Sequence, residues 1–314
     1  MKHSYTSADQ WPLKLARNHK IIRDLPVYVP PYHIQIYPTN KCNRSCSFCS
    51  CGNRDKSLEL DLEKTLLEIQ WLVKYGTRAA TISGGGEPLF YPLINELIYG
   101  LWNRGLEVGL TTNGDYLNVL NERSLSLLTW VRISGSDEYE FDAKWWLKVA
   151  QPIIEKHPEV SWSFSYVVTK KFNYSNLSDY IYTADKFKFS HVRVVSDLLD
   201  PDSPDNMPIG DAPMSERVIW QPRNNPRKGA KECWFSLIKP LLAADGHVYP
   251  CCGVQYARKD PDLDNPEEFR MEKIPRPWVL QEPFDGAKCE RCYYSEYNEY
   301  ISRIKRDVDH ANFI

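Results

Sequence analysis

The sequence predicts an α/β fold in which an open, TIM-like partial (β/α)6 barrel is followed by a small metal-organised domain and a C-terminal helix. Three observations carry this expectation. Short apolar, partly β-branched runs alternate with amphipathic stretches six times between residues 33 and 197, the pattern of parallel strands covered by helices. Six units are too few to close an eight-fold barrel, so the sheet stays open, with its active site expected at the C-terminal ends of the strands. Beyond Asp197 the alternation stops, and cysteines at well-spaced positions take its place.

Element by element, residues 1–31 read as an N-terminal extension, and Pro26, Pro30 and Pro31 stop regular structure before the first strand. That strand is predicted at 33–39. Leu62, Leu66, Ile69 and Val73 then recur at helical spacing, with Asp61 placed to cap the helix. Further strands are predicted at 79–83, 106–112, 130–134, 161–169 and 191–196, and helices at 89–103, 116–128, 139–156 and 175–186. The barrel thus occupies 32–197. Residues 198–230, with Pro201, Pro204, Pro208, Pro213, Pro222 and Pro226, read as a linker or as a loop bordering the substrate cavity. The last unit is 231–314. Its end carries Tyr297, Tyr300, Ile301, Ile304 and Val308, an amphipathic stripe expected to pack as core.

The composition is that of an ordinary folded protein, 42% hydrophobic, with 39 basic and 41 acidic side chains. A net charge of −2 gives no global attraction for nucleic acid. No apolar run approaches the roughly 20 residues that span a bilayer, and residues 1–11 lack the apolar middle of a secretory signal. Cytoplasmic location is the expectation. The nine cysteines fall into two groups, Cys42, Cys46, Cys49 and Cys51, then Cys233, Cys251, Cys252, Cys289 and Cys292. An odd count in tight groups without an export signal points to metal ligands rather than disulfides.

The first group lies in CNRSCSFCSCG, directly after the first strand. Gaps of three and two residues let a loop wrap the thiolates of Cys42, Cys46 and Cys49 around one cluster. Three ligands on a four-iron cubane leave one iron open to an external molecule. With SGGGEP at 83–88, TTNG at 111–114 and VRISGSD at 131–137, each ending a successive predicted strand, the sequence resembles the radical S-adenosylmethionine superfamily over about residues 33–197. The resemblance implies a [4Fe–4S] cluster on Cys42, Cys46 and Cys49, S-adenosylmethionine bound at its open iron, and reductive cleavage to a 5′-deoxyadenosyl radical. It implies that Gly85, Gly86 and Glu87 grip the methionine amino group, and their chemistry agrees: glycines permit close backbone approach and a carboxylate pairs with an ammonium. Asn113 and Ser134 are implied as groups holding the ribose and methionine portions, and Phe48 as the aromatic beside the adenine. Cys51 stands outside the pattern and reads as a buried thiol.

In the second group, 17 residues separate Cys233 from Cys251, 37 separate Cys251 from Cys289, and Cys292 follows three positions later. Asp245-Gly246 favours a hairpin that folds the chain back. A four-cysteine set of this kind suits zinc or a cubane. The arrangement resembles the Twitch domain, the shortened relative of the SPASM domain, which makes this the small iron–sulfur domain of the fold. It implies an auxiliary [4Fe–4S] cluster on Cys233, Cys251, Cys289 and Cys292 with an electronic role. Cys252 is the candidate hydrogen donor to a substrate radical.

The expected activity is hydrogen abstraction from a substrate by a radical enzyme, an oxidoreductase or peptide-modifying enzyme. Peptide epimerisation, crosslinking or oxidation leads, and oxidation of a small alcohol metabolite follows. The partners are the substrate and a reductant such as flavodoxin or ferredoxin, with no membrane and no nucleic acid. A non-enzymatic electron carrier or sensor is the alternative from another class.

Overall fold

A computed structural model describes residues 11–23, 31–200, 215–221, 227–258, 267–273 and 282–306. Helices α1 (Trp11–Arg17) and α2 (His19–Arg23) precede β1 (His33–Ile36). Then come α3 (Leu62–Tyr75), β2 (Ala79–Ile82), α4 (Ile94–Trp102), β3 (Glu107–Thr112), α5 (Glu122–Ser126) and β4 (Leu128–Ser136). The next layer is α6 (Ala143–Trp145), which runs through a π-helical stretch into α7 (Gln151–Lys156). β5 (Ser161–Val168), α8 (Tyr174–Lys186), β6 (Val192–Ser196) and β7 (Val218–Gln221) complete the barrel. The remainder holds β8 (Glu232–Cys233), α9 (Phe235–Ile238), β9 (Leu241–Leu242), β10 (His247–Tyr249), β11 (Glu272–Lys273), β12 (Phe284–Asp285) and α10 (Ser295–Ile304).

All six predicted strands are present, five of them followed by a helix among the described residues, and β1 to β7 pair in parallel in sequence order. The fold is α/β, a curled, mostly parallel sheet with helices on one face and no closed barrel. Asp61 caps α3 as its chemistry requires, accepting from Lys64 N at 2.9 Å. Strand side chains alternate between two faces. Ile34, Ile36, Ala80, Ile82, Val108, Leu110, Val131, Phe164, Tyr166, Val192 and Val194 share one buried core with Ile69 and Leu72 of α3, Leu97 and Ile98 of α4 and Leu177 of α8. Each fully buried Ile or Leu contributes about 1.5–3 kcal/mol against exposure. The opposite parity forms the inner face of the sheet.

Two features depart from a barrel followed by a separate unit. Residues 201–214 and 222–226 of the proline-rich segment lie outside the described residues, but between them β7 adds a seventh parallel strand beside β6. Beyond it, β9 pairs in parallel with β1, Gln35 opposite Leu241, and β10 and β11 continue the sheet antiparallel. The predicted hairpin joins β9 to β10, with Gly246 at φ +75° where a Cβ is disfavoured. Leu15 of α1 and Ile22 of α2 form a core with Phe235, Leu237 and Ile301, so the first helices pack against α9 and α10. Tyr297, Ile301 and Ile304 face that core as predicted, whereas Tyr300 is 43% exposed on the other side of α10, and Val308 lies outside the described residues. Among the described residues no helix is long and apolar enough to cross a membrane.

Candidate functional site

The loop that bears Cys42, Cys46 and Cys49 leaves the C-terminal end of β1 and is fastened by the ends of two neighbouring strands. After β3, Asp115 accepts from Arg44 Nε at 2.8 Å and Nη2 at 2.5 Å, and from Asn43 Nδ2 at 2.6 Å. Asn113, predicted as a ligand group, donates from Nδ2 to Asn43 Oδ1 at 2.8 Å, which holds it against this loop. After β4, Glu138 accepts from Ser47 N at 3.0 Å and from the Ser47 hydroxyl, and Tyr139 OH accepts from Ser45 N at 3.3 Å. The Arg44 guanidinium lies 4.6 Å from the Tyr139 ring centroid, a cation–π contact. A bidentate arginine–carboxylate pair fixes orientation as well as distance.

Below this loop runs the glycine segment. Gly86 N donates to Thr39 O at 3.0 Å and Glu87 N to Lys41 O at 2.7 Å, stitching the end of β2 to the cysteine loop. A Cβ on Gly86 would stand 2.0 Å from Lys41 O, and one on Gly85 would stand 2.1 Å from Asn40 Oδ1. Only glycine permits this approach. The Glu87 side chain, 3% exposed, accepts from Leu89 N at 3.1 Å, Thr112 Oγ1 at 2.5 Å and Asn113 N at 2.7 Å. Its carboxylate therefore ties β2 to β3. Burial raises its pKa to about 7 against the lowering effect of these donors. Ser134 is half-buried on β4 opposite Ser165 of β5, two residues before the strand ends, and Phe48 is half-buried on the loop.

Cys42, Cys46 and Cys49 are free thiols, partly exposed, and near enough that the charge of Cys42 acts on Cys46 and that of Cys46 on Cys49. Burial raises the pKa of Cys42 and Cys46. Cys49 is raised by its hydrogen bond with Cys51, and Cys51 is lowered to about 6 by the same bond. Cys51 is buried, as read from the sequence. Its Sγ and the Ser50 hydroxyl both donate to Gln255 Oε1 at 2.8 Å, and Gln255 Nε2 donates to Tyr37 OH. Gln255 belongs to the short helix beginning at Cys252, so this buried link joins the two cysteine groups.

In the second group, Cys233, Cys251, Cys289 and Cys292 line one pocket with Phe235 and Tyr294, whose rings stack at 4.4 Å. Cys252 does not line it; its Sγ lies 3.0 Å from Tyr294 OH. The adjacent pair is thereby divided, one thiol to the pocket and one beside it. Burial, then the charge of Cys292, pushes the pKa of Cys233 and of Cys289 up to about 12, and burial, then the Cys252 charge, raises Cys251. Four thiols in one dry pocket ionise together only when a positive centre compensates them, and thiolate is the form that ligates. The donor set thus fits a metal–sulfur group. Among the described residues no three His, Cys, Asp or Glu side chains are placed to hold a single metal ion.

Sequence reasoning missed Arg44, Asp115, Glu138 and Gln255, which have the look of ordinary loop composition, and placed Tyr139 only at the start of a helix that begins at Ala143. Asp115 and Glu138 directly follow the TTNG and VRISGSD segments, which is the signal that identifies them.

The fold is similar to that of Streptococcus suis SuiB bound to the precursor peptide SuiA, at 14% identity and TM-score 0.53, covering 83% of this chain and 68% of SuiB. It is similar to SuiB bound to S-adenosylmethionine, at 15% identity and TM-score 0.52, covering 80% and 67%. It is similar also to anSMEcpe with bound AdoMet and Kp18Cys peptide, at 16% identity and TM-score 0.51, covering 91% and 86%. No curated protein matches the chain in sequence. The Radical SAM superfamily model matches residues 36–130, from the last residue of β1 through the cysteine loop and the glycine segment into β4.

Proposed function

We propose that this chain is a radical S-adenosylmethionine enzyme that abstracts hydrogen from a peptide substrate. Cys42, Cys46 and Cys49 would hold a [4Fe–4S] cluster, and Cys233, Cys251, Cys289 and Cys292 an auxiliary one. When bound, a cluster with an open iron supplies the electron that breaks a sulfur–carbon bond of S-adenosylmethionine, giving methionine and a 5′-deoxyadenosyl radical. The observation that carries the proposal is the cysteine loop itself, pinned to the ends of β3 and β4 while its three thiols stay partly exposed.

Gly85, Gly86 and Glu87 form the segment that receives the methionine amino group, with Glu87 acting through the turn its carboxylate fixes. Asn113 and Ser134 face the ribose and methionine portions, and Phe48 the adenine. The four-cysteine pocket has no ligand position to spare and takes an electronic part, with flavodoxin or ferredoxin as external reductant. The peptide reading draws support from SuiB and anSMEcpe, both solved with peptides. Cys252, beside the pocket and hydrogen-bonded to Tyr294, is the candidate hydrogen donor.

Anaerobic reconstitution followed by detection of 5′-deoxyadenosine tests this directly. Wild-type protein should cleave S-adenosylmethionine and the joint Cys42→Ala, Cys46→Ala, Cys49→Ala variant should not. Retained clusters without 5′-deoxyadenosine would instead indicate an electron carrier. Cys252→Ala should still consume S-adenosylmethionine yet fail to deliver the normal product. A product short of two hydrogens from a small alcohol, with no peptide turned over, would replace the peptide by a metabolite.

A further inference from the structure

The short helix Cys252–Tyr256 is held at both ends by the second cysteine group. Its N-cap is Cys251, and Ala257, the residue that closes it, accepts at its carbonyl from Arg291 N at 3.1 Å, between Cys289 and Cys292. Val254 and Ala257 are buried with Tyr37, Leu241, Tyr249 and Phe269, and Cys251, Cys252 and Cys289 pack against the same core. The helix is therefore placed by the segments that carry the second group. Gln255, four positions after Cys251, is the side chain of this helix that reaches the first group.

On the facing side, Gly52 N donates to Cys49 O at 3.2 Å and closes a tight turn that starts at the third thiol of the first group. Ser50 and Cys51 lie inside that turn. Ser50 Oγ and Cys51 Sγ each donate to Gln255 Oε1 at 2.8 Å, so the loop uses both lone pairs of the amide oxygen. Gln255 Nε2 donates to Tyr37 OH, directly after β1, which fixes the amide from its other end. Tyr37, Ser50, Cys51 and Gln255 are all buried. Moving either segment would leave a buried amide oxygen without its donors, and that costs more than the bonds themselves contribute. Helix and turn must therefore move together.

We infer that Gln255 is a positioning residue that couples the two cysteine groups, so that filling either group makes the other hold its metal more tightly. The inference rests on the proposed function, which puts a cluster on each group. Gathering Cys251, Cys289 and Cys292 around a metal fixes both ends of the helix and with them the Gln255 amide. The amide then holds the turn at Cys49 in one place, and part of the ordering that the first group requires is already done. Linkage makes the effect run equally in the other direction. Cys51, which stands outside the three-ligand spacing, acts as one arm of this clasp.

The test follows anaerobic iron release to a chelator from reconstituted wild type and from two joint variants. Cys42→Ala, Cys46→Ala, Cys49→Ala leaves iron only in the second group, and Cys289→Ser, Cys292→Ser leaves it only in the first. Independent groups require the wild-type curve to equal the sum of the two variants' curves. Coupling slows the wild type relative to that sum, by about fivefold or more. Gln255→Met, introduced into all three backgrounds, should restore the sum, whereas Gln255→Glu keeps oxygens toward Ser50 and Cys51 and should preserve the slowing. A residue that merely stabilised the fold would speed release alike in all three backgrounds and leave the slowing in place. Where Gln255→Met fails to match wild type in circular dichroism, the joint Ser50→Ala, Cys51→Ala variant cuts the clasp from the loop side and should give the same result. A wild-type curve equal to the sum overturns the inference, as does slowing that survives the cut. Wild-type iron in one group only would overturn it together with the proposed ligand sets, and the iron content of the two cysteine variants separates that outcome from the others.

Discussion

Replacing Gly86 by alanine probes the join between the glycine segment and the cysteine loop. The added Cβ would stand 2.0 Å from Lys41 O and 2.5 Å from the carbonyl carbons of Asn40 and Lys41. These are backbone atoms, so no side chain can swing aside, and the two segments must part by more than an ångström. Overpacking of this kind costs about 1–3 kcal/mol. The separation also stretches the bonds from Gly86 N to Thr39 O and from Glu87 N to Lys41 O, each worth about 1 kcal/mol. A loss near 4 kcal/mol follows, which in a chain of this size lowers the midpoint of thermal unfolding by roughly 6 °C. Anaerobic calorimetry of the Gly86→Ala protein, with iron quantified after reconstitution, measures both stability and loop integrity. Gly52→Ala is the control, because its Cβ meets nothing closer than Cys49 O at 3.4 Å. A Gly86→Ala protein that melts within two degrees of wild type and retains its iron would falsify the close-approach argument.

Asp115→Asn removes the charge that orients Arg44 and Asn43, at a cost of about 1–2 kcal/mol, and should release iron from the first cysteine group to a chelator several times faster. Unchanged release would mean the loop holds its shape without this clamp. Glu87, with its folded pKa raised to about 7, binds more protons folded than unfolded between about pH 4.5 and 7. Stability from this group therefore declines as pH rises through that window, by about 3 kcal/mol at most; Glu87→Gln should flatten the slope, and an unaltered slope in urea titrations would exclude Glu87 as its source. Cys251→Ser should lower the iron bound by the second group while Cys252→Ser leaves it intact, since only Cys251 lines the four-cysteine pocket. Equal loss in both would place the ligand set elsewhere.

The barrel was legible because its signals are local and repeated. The six predicted strands fall on β1 to β6, and Asp61 caps α3 as its side chain dictates. β7 escaped notice because four residues, Val218–Gln221, are too few to show a period between flanking prolines. The pairing of β9 with β1 escaped for a different reason: a two-residue strand specifies no partner, and Leu241 finds Gln35 through tertiary packing alone. The cysteines announced the site by spacing, whereas the residues that hold their loop did not. Arg44, Asp115, Glu138 and Tyr139 are polar residues in loops, and only their meeting in space gives them meaning.

The link from Cys51 to Gln255 spans 204 positions of sequence, and β1 waits slightly longer for β9. During synthesis the cysteine loop therefore emerges with one flank open, and β1 lacks its β9 neighbour until Leu241 and Leu242 are made. Contacts of such separation form late and slowly. Cys51 and Tyr37 pass through this interval without the hydrogen bonds that Gln255 later makes with both. The finished site exists only after residues 241–255 have emerged, which makes the order of assembly, and not only the residues that line it, part of how this site forms.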